Sequence, residues 1–455
     1  MLIRNGTIVT PIGTKQGNIL VSGEKIAAIY DLSHPIEGDA HQVIDAAGCY
    51  IFPGGIDPHV HMHLPTSAGY SSDDFRSGSR AALFGGTTTL IDFVTPRKKQ
   101  SLTSALAERR KEASNILTDY SLHVSPIEWR DSIPHEIEAC AEAGITSFKV
   151  YMAYKDAIGI DDDVLEKVMK AVADAGGMVM VHCELGDEIE RMRDALVASG
   201  QTGVMAHALS RPDEMESHAV QVAIRLAAKT GCRLYIVHVS TKESVTHIRR
   251  ARQNGQKVYA EVCPHHLLLD LSGYDQPFDQ AAPYVLSPPL RAKADQEALW
   301  KGLADNTIQV VGTDHCPFMM TQKKGGLHDF RLIANGAGGV EHRLELLYTY
   351  GVKTQRISLE RFVEVTAASP AKIFGLYPKK GTIETGSDAD LVVWNPGATH
   401  TISHRTHHQN CDHNIYEGFE VQGQPAYVIF KGEAVIQNGE MINAPSGRFM
   451  PRTAP

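Results

Sequence analysis

The sequence predicts an α/β protein in which a (β/α)8 barrel fills the middle of the chain and both chain ends form a smaller β domain. Three observations support this fold class. Short apolar runs alternate with amphipathic runs over residues 51–374, turn residues separate short strands at both ends, and unusual polar side chains fall where the central strands end. Alternating strands and helices are typical of parallel sheets, and 455 residues suffice for a large barrel with an accessory domain.

The N-terminal segment 1–50 and the C-terminal segment 375–455 share one pattern. Asn5-Gly6 and Ser22-Gly23 flank short apolar runs near the start, and Gly386 precedes the apolar run 390–394 near the end. Such turn residues between short runs are typical of antiparallel strands. We therefore expect the two ends to form one β-sandwich domain beside a barrel domain of residues 51–374.

Eight central apolar runs predict the barrel strands: 50–61, 88–93, 120–124, 147–152, 178–182, 234–239, 258–262 and 308–314. Amphipathic runs between them predict helices, for example at 164–175, 214–229 and 242–253. Eight such units suit a (β/α)8 barrel. A doubly wound open sheet is the alternative, but no G-x-G-x-x-G segment follows the first central strand, which disfavours a dinucleotide-binding protein.

Composition excludes several classes of protein. Apolar residues make up 43% of the chain and charged residues 21%, as in ordinary soluble enzymes. The formal charge of −9 comes without a basic stripe, so we expect no nucleic-acid partner. No apolar run reaches the ~18 residues of a membrane span and no signal peptide precedes the first strand, so we expect a cytoplasmic protein without a membrane partner. Seven scattered cysteines indicate reduced thiols.

Six ionisable side chains fall at or near the ends of five predicted strands, where barrels place their active sites. His59 and His61 are two residues apart, so an extended chain points both imidazoles to one side. A lone strand-end histidine is more often a packing residue, but six ionisable groups in an apolar barrel mouth require a charge to satisfy them. We therefore predict a metal centre formed by His59, His61, Lys149, His182, His238 and Asp314.

Other histidines near the predicted mouth are expected to lie behind the metal ligands or at the surface. They are His63, His265, His266 and His315, and the role of His265 and His266 stays open. We expect His207, His218, His342 and the run 404–408 to be solvated or packing residues.

Nine segments spread over almost the whole chain carry a more specific signal: FPGGIDPHVH (52–61), GGTTTLID (85–92), SFKVYMAY (147–154), LYIVHVS (234–240), LSPPLR (286–291), GTDHCP (312–317), NG (335–336), SPAKIFG (369–375) and GSDADL (386–391). Together they closely resemble the dihydropyrimidinase and hydantoinase branch of the amidohydrolase superfamily. This likeness is far more specific than the H-x-H pair alone.

The resemblance implies two divalent metal ions, usually zinc, bridged by a carboxylated lysine. It assigns His59, His61 and Asp314 to one ion, His182 and His238 to the other, and N6-carboxylated Lys149 to both. Carboxylation replaces a metal-repelling cation of pKa about 10.4 with two anionic oxygens. The alternative, Lys149 as an ordinary salt-bridging residue, is disfavoured by its apolar strand.

The resemblance also implies a reaction, in which a metal-bridging hydroxide opens the ring amide of a dihydropyrimidine or 5-substituted hydantoin to give an N-carbamoyl amino acid. Asp314 would transfer the proton to the leaving nitrogen, and Tyr154 would donate to the oxyanion or serve only as a pocket wall. Backbone groups at Ser287 and Asn335 would bind the cyclic imide or ureide edge. The exocyclic substituent would meet Leu64, Tyr70 and Met152, and the protein would assemble as a homo-oligomer, a tetramer by resemblance.

The nearest rivals are an allantoinase and a dihydroorotase. A dihydroorotase is expected to carry an arginine two residues beyond the second histidine, whereas this chain has His63, which favours an uncharged ring. A non-catalytic scaffold of the same family would have lost ligands, and all six are present. One departure from the family pattern is His265-His266, where glutamine followed by tyrosine or histidine is usual.

Overall fold

The computed structural model describes residues 1–33 and 42–454. These residues form an eight-stranded parallel sheet, a nine-stranded mixed sheet and a two-stranded hairpin, Pro65–Thr66 with Gly69–Tyr70. The predicted end segments 1–50 and 375–455 include residues 34–41 and 455, which lie outside this description. None of the described helices is long and apolar enough to cross a membrane.

The eight parallel strands follow chain order around the sheet: Gly55–Val60, Thr87–Val94, Asp119–Val124, Ser147–Tyr151, Met178–His182, Arg233–Ile236, Val258–Val262 and Val310–Val311. A parallel bridge between Val60 and His315 brings the chain after the last strand back to the first. The sheet is therefore a nearly closed barrel, and the predicted fold class is confirmed.

Helices connect the barrel strands and follow the last one: Phe75–Phe84, Leu102–Glu112, Ile133–Glu142, Asp162–Asp174, Gly186–Ala198, Met205–Leu209, Asp213–Thr230, Lys242–Gln253, Pro264–Leu268, Phe278–Ala281, Lys293–Ala304, Met320–Lys323, Arg343–Leu347, Leu359–Val363 and Ser369–Ile373. Shorter 3-10 turns lie at Ala113–Asn115, Leu271–Tyr274, Ala282–Tyr284, Lys324–Gly326 and Phe330–Leu332, and π-helical turns at Tyr348–Val352 and Glu364–Ala368. Gly231 ends the longest helix with a positive φ of 70°, which glycine adopts without strain.

Strands from both chain ends form the nine-stranded sheet, as the turn-rich ends predict. Its order is Glu440–Met441, Glu433–Gln437, Glu420–Phe430, Leu391–Thr401, Tyr50–Pro53, Leu2–Thr10, Gly13–Ser22 and Lys25–Tyr30, with Val43–Asp45 also paired to Leu2–Thr10. Apolar side chains of both ends, such as Ile8, Ile51 and Leu391, pack into one buried cluster.

The prediction that residues 50–61 form one continuous barrel strand is wrong. Tyr50–Pro53 belongs to the nine-stranded sheet and pairs antiparallel with Leu391–Trp394, whereas Gly55–Val60 belongs to the barrel. Gly54 lies at the junction, where a Cβ atom would stand 2.2 Å from Oγ1 of Thr88. An unbroken apolar run concealed this change of sheet.

The eighth strand is also shorter than predicted. It covers Val310–Val311 rather than 308–314, because the chain turns away after Val311 and places Asp314 at a positive φ of 51°. Buried apolar side chains from five barrel strands, among them Ile56, Met180 and Tyr235, form a separate cluster with Phe374. The strand ends therefore carry the polar groups above an apolar interior.

Candidate metal centre

The structure brings the six predicted side chains together at the carboxyl ends of the barrel strands. Oδ1 of Asp314 lies 3.1 Å from Nε2 of His59 and 3.0 Å from Nε2 of His61. Nδ1 of His182 lies 3.0 Å from Nε2 of His238, whose ring centroid is 5.5 Å from that of His59. All six, including Lys149, line one cavity of about 840 Å³.

Most of this cluster is removed from solvent. His59, His61, Lys149, His182 and His238 are buried, and only the Asp314 side chain keeps 19% of its surface exposed. Burial of so many ionisable groups is costly unless a further charge satisfies them. The cavity size is within the usual range for small-molecule sites, about 300–1,000 Å³.

Unusual backbone conformations hold part of the cluster in place. His238, Asp314 and Tyr154 have positive φ values of 37°, 51° and 60°. Non-glycine residues pay about 1–3 kcal/mol for such conformations, which persist where the surrounding structure enforces them. Strain at three positions beside one cavity favours a functional role for this cavity.

Glu261 is a member of the centre that was not predicted from the sequence. It lies in the seventh barrel strand, where its Oε1 is 2.6 Å from Nδ1 of His59 and its Oε2 accepts a hydrogen bond from the Tyr235 hydroxyl at 2.9 Å. Although burial opposes it, Glu261 and then Asp314 raise the pKa of His59 to about 9. Glu261 thereby fixes the ring so that Nε2 faces Asp314.

Glu184 has the same relation to His182. Its Oε2 lies 2.7 Å from Nε2 of His182 and accepts a hydrogen bond from Nη1 of Arg211 at 2.6 Å. Although burial would raise it, Arg211 and His182 lower the pKa of Glu184 to about 2. The ionised carboxylate leaves Nδ1 of His182 facing His238. In both cases the available signal was an acidic residue in or directly after an apolar strand.

Lys149 is surrounded by rings rather than carboxylates. Its Nζ lies 4.9 Å from the ring centroids of both Phe93 and Tyr151, and it forms neither a hydrogen bond nor an ion pair with another described residue. Burial lowers the pKa of its ammonium to about 8. An ordinary salt-bridging role therefore does not account for this side chain.

The donor set suits a divalent cation. Ligand atoms of His59, His238 and Asp314 lie within 4.8 Å of one another. Nε2 of His59, the ring nitrogen that faces Asp314, is buried and has no hydrogen-bond partner in residues 1–33 and 42–454. Imidazole nitrogens and a carboxylate oxygen are the usual ligands of zinc.

The predicted substrate-binding residues line the same cavity. The Tyr154 ring lies 5.3 Å from that of His182, and burial raises the pKa of its phenol, so it stays protonated. Ser287 is buried and Asn335 exposed, and the main-chain groups of both make no hydrogen bond within the described chain. Leu64 packs beside Phe318 at the rim.

The prediction that Met152 forms part of the cavity wall is wrong. Met152 is 3% exposed and packs in the main apolar core, because its main-chain N–H continues the strand pairing by donating to the His182 carbonyl at 3.1 Å. Ala157 and Ile158, in the loop that follows the fourth barrel strand, line the cavity instead. Tyr70 does line it and stacks on His63, with ring centroids 4.0 Å apart.

The mouth histidines His265, His266 and His315 are buried, and the side chains of His266 and His315 form hydrogen bonds. His315 contacts Asp73 at 3.0 Å, and Nε2 of His266 donates to the Pro288 carbonyl at 3.0 Å. His265 is buried beside His266, with ring centroids 4.3 Å apart. The cluster of six candidate ligands includes none of these three.

The chain is similar to known proteins over almost its whole length. The model of the amidohydrolase family matches residues 50–435. A D-hydantoinase of Geobacillus stearothermophilus is 42% identical over 99% of this chain and 96% of its own length. The solved D-hydantoinase of Bacillus sp. AR9 superposes with a TM-score of 0.97 at 43% identity, with 99% of each chain covered.

A solved dihydropyrimidinase of Brevibacillus agri NCHU1002 also superposes with a TM-score of 0.97, at 41% identity, over 100% of this chain and 98% of its own. The chain therefore belongs to the amidohydrolase family, in the branch of the D-hydantoinases and dihydropyrimidinases. Membership of this family implies the use of divalent metal ions.

Proposed function

We propose that the protein hydrolyses the ring amide of a dihydropyrimidine or 5-substituted hydantoin to an N-carbamoyl amino acid. The observation that carries this proposal is the single cavity that contains all six ligand side chains together with Tyr154, Ser287 and Asn335. Relatives that match almost the whole chain are a D-hydantoinase and a dihydropyrimidinase, which supports the same chemistry.

Two divalent ions, by resemblance zinc, would be held by residues already near each other. His59, His61 and Asp314 would hold one, His182 and His238 the other, and N6-carboxylated Lys149 would bridge them. The partnerless surroundings of Lys149 support its modification, because a carbamate there would offer two oxygens to the cations. When bound, such ions polarise a carbonyl and give hydroxide as the nucleophile at neutral pH.

Asp314 is the group placed to move the proton. Its carboxylate is partly exposed to the cavity, and the adjacent imidazoles of His59 and His61 hold its pKa well below its usual range although burial opposes this. It would accept the proton of the attacking hydroxide and deliver it to the leaving ring nitrogen.

Tyr154 is the candidate donor to the substrate's carbonyl oxygen. Its backbone conformation, with φ at 60°, turns the chain at the cavity wall, and the guanidinium carbon of Arg211 lies 5.6 Å from its ring centroid. A protonated phenol at this position can stabilise negative charge that develops on the oxygen. Arg211 also donates a hydrogen bond to Glu184, which contacts His182. One side chain therefore packs on the Tyr154 ring and positions the carboxylate that orients His182.

Main-chain groups supply the remaining recognition. Ser287 and Asn335 offer N–H and C=O groups that have no hydrogen-bond partner among the described residues, which suits the alternating donors and acceptors of a ureide edge. Leu64 and Tyr70 on the loop 62–72 would contact the exocyclic substituent. The cavity has ample room for such a substituent beyond one small ring.

The testing experiment is a turnover comparison of dihydrouracil, phenylhydantoin, allantoin and dihydroorotate on metal-replete protein. We expect ring opening of one or both of the first two. Turnover confined to allantoin or dihydroorotate would replace the proposal by the rival amidohydrolase, and turnover of none would favour the non-catalytic scaffold. We also propose a homo-oligomer, a tetramer by family resemblance, which light scattering of the purified protein would test.

A further inference from the structure

Lys323 is a fully buried lysine without an acidic partner. It ends the short helix Met320–Lys323, and its Nζ donates to three main-chain carbonyls: Ala334 and Gly336 at 2.9 Å and Val285 at 3.3 Å. Among the described residues no carboxylate lies within ion-pair distance of this ammonium. Burial lowers its pKa to about 8.

The three acceptors surround the two residues proposed to bind the substrate through their main chain. Ala334 and Gly336 stand on either side of Asn335, and Val285 stands two residues before Ser287. The Gly336 N–H also donates to the Val285 carbonyl at 3.0 Å, so the two segments are joined directly. One ammonium therefore fixes both segments where they face the cavity.

Two histidines complete the pattern on the Ser287 side. Nε2 of His207 donates to the Leu286 carbonyl at 2.8 Å, and Nε2 of His266 donates to the Pro288 carbonyl at 3.0 Å. Both rings are buried, and burial holds the pKa of each well below its ordinary value, so each is a neutral donor. The carbonyls on both sides of Ser287 thus accept hydrogen bonds, whereas its own main-chain groups form none with the rest of the described chain.

Stability alone is a poor reason for this arrangement. A buried charge without a counter-charge loses its hydration, and replacement of whole buried ion pairs by apolar residues is often neutral or stabilising, so a buried charge is weak evidence for a role in stability. What three directed N–H donors add is exact placement of the carbonyls, and placement matters most where a substrate must be aligned, since an error of about 1 Å can cost roughly 10²-fold in rate.

We propose that Lys323 is a positioning residue that holds the free main-chain groups of Ser287 and Asn335 in register for the substrate's ureide edge. This rests on the proposed function, because it assumes that these groups contact the ring. Lys323 itself does not touch the substrate: it acts through the carbonyls of residues 285, 334 and 336.

The test is a steady-state comparison of Lys323→Met with the wild type on the preferred ring substrate. We expect KM to rise by roughly 10- to 100-fold, because each misaligned hydrogen bond to the ring costs up to about tenfold in binding, kcat to fall less, and the metal content per chain to stay unchanged. Lys323→Gln keeps two N–H donors and should recover part of the affinity, and it serves as the test variant if Lys323→Met does not fold. A wild-type KM in both variants would overturn the proposal.

The matched control is Lys380→Met, which removes a second buried lysine that contacts three carboxylates away from the cavity. It should lower stability and leave KM unchanged. If Lys380→Met raises KM as much as Lys323→Met, the effect is general destabilisation and the proposal fails.

Hydrogen exchange separates this proposal from the proposed function. Peptides that contain residues 285–287 and 334–336 should exchange faster in Lys323→Met than in the wild type, and not in Lys380→Met. This result can be obtained even if the wild type opens no cyclic ureide. In that case the proposed function fails, but the positioning of the two segments by Lys323 is still supported. Exchange rates in both segments equal to those of the wild type would contradict the positioning role of Lys323.

Discussion

At the residue scale, the centre depends on carboxylates that orient imidazoles. Glu261 and Glu184 each hold one ring nitrogen, which leaves the other nitrogen of His59 and His182 directed to the cluster. Such partners also make the ligand more basic. The six candidate ligands alone therefore do not define the site: two acidic residues behind them set its geometry.

Asp314→Asn tests the proposed proton transfer. An amide cannot accept the proton, so we expect kcat to fall by about 10²–10⁴-fold. Metal content should be measured on the same sample by atomic absorption, because Asp314 is also a proposed ligand. Unchanged turnover would remove the role of Asp314 in proton transfer.

Glu261→Gln tests the orientation of His59. An amide can still contact Nδ1 but no longer supplies the charge, so we expect metal affinity to fall by about 10- to 100-fold, measured by competition with a chelator. Glu216→Gln is the control, since Glu216 is an equally buried acid that contacts Ser240 and Arg291 instead of a ligand. Equal losses in the two variants would contradict a specific role for Glu261.

At the element scale, the barrel and the nine-stranded sheet are joined by polar contacts as well as apolar packing. Nζ of Lys380 lies 2.7 Å from Asp119, 3.0 Å from Asp388 and 2.5 Å from Asp390. Asp119 begins a barrel strand, whereas Asp390 directly precedes a strand of the sheet. We propose that the predicted units, residues 1–50 with 375–455 and residues 51–374, are two domains whose first boundary lies at Gly54, because Tyr50–Pro53 pairs within the nine-stranded sheet. Lys380 connects the two domains.

Lys380→Met should destabilise the fold without changing the site. Removal of one partner from a buried ion pair leaves carboxylates unpaired, which costs about 3–5 kcal/mol. Chemical denaturation measures this loss, and metal content serves as the readout that should not change. A free energy of unfolding equal to that of the wild type would contradict the connecting role of Lys380.

A second contact between elements predicts a pH dependence. Glu345 accepts from Nδ1 of His342 at 2.7 Å and lies 3.2 Å from Nε2 of His400 in the strand Leu391–Thr401. Burial alone would lower the pKa of His342, but the hydrogen bond to Glu345 raises it above 6.5. The same carboxylate raises the pKa of His400. The stabilisation is therefore present below pH 6.5 and lost as pH rises through the folded-state values.

Glu345→Gln tests that dependence. Its loss of unfolding free energy relative to the wild type should be larger below pH 6.5 than at a pH about two to three units higher, because only the charged imidazoles benefit from the carboxylate. Urea titrations at the two pH values measure the difference. A loss that is equal at both values would contradict the assignment of charge to His342 and His400.

At the scale of the whole molecule, the features that the sequence could predict are those with a local signature. The barrel units follow from strand and helix periodicity, and the six ligands stand where the strands end. The junction at Gly54 could not be predicted, because the apolar run 50–61 does not show that its two halves pair with different sheets. The role of Lys323 could not be predicted for a similar reason, since its acceptors are main-chain carbonyls that only the fold brings near it.

The most direct test of the central claim is a titration of chelator-treated protein with zinc while ring opening of dihydrouracil or a hydantoin is followed. The proposed binuclear centre predicts an inactive metal-free protein, activity that rises until about two ions are bound per chain, and an N-carbamoyl amino acid as the product. Full activity in the metal-free protein, or no ring opening at full metal occupancy, would contradict it.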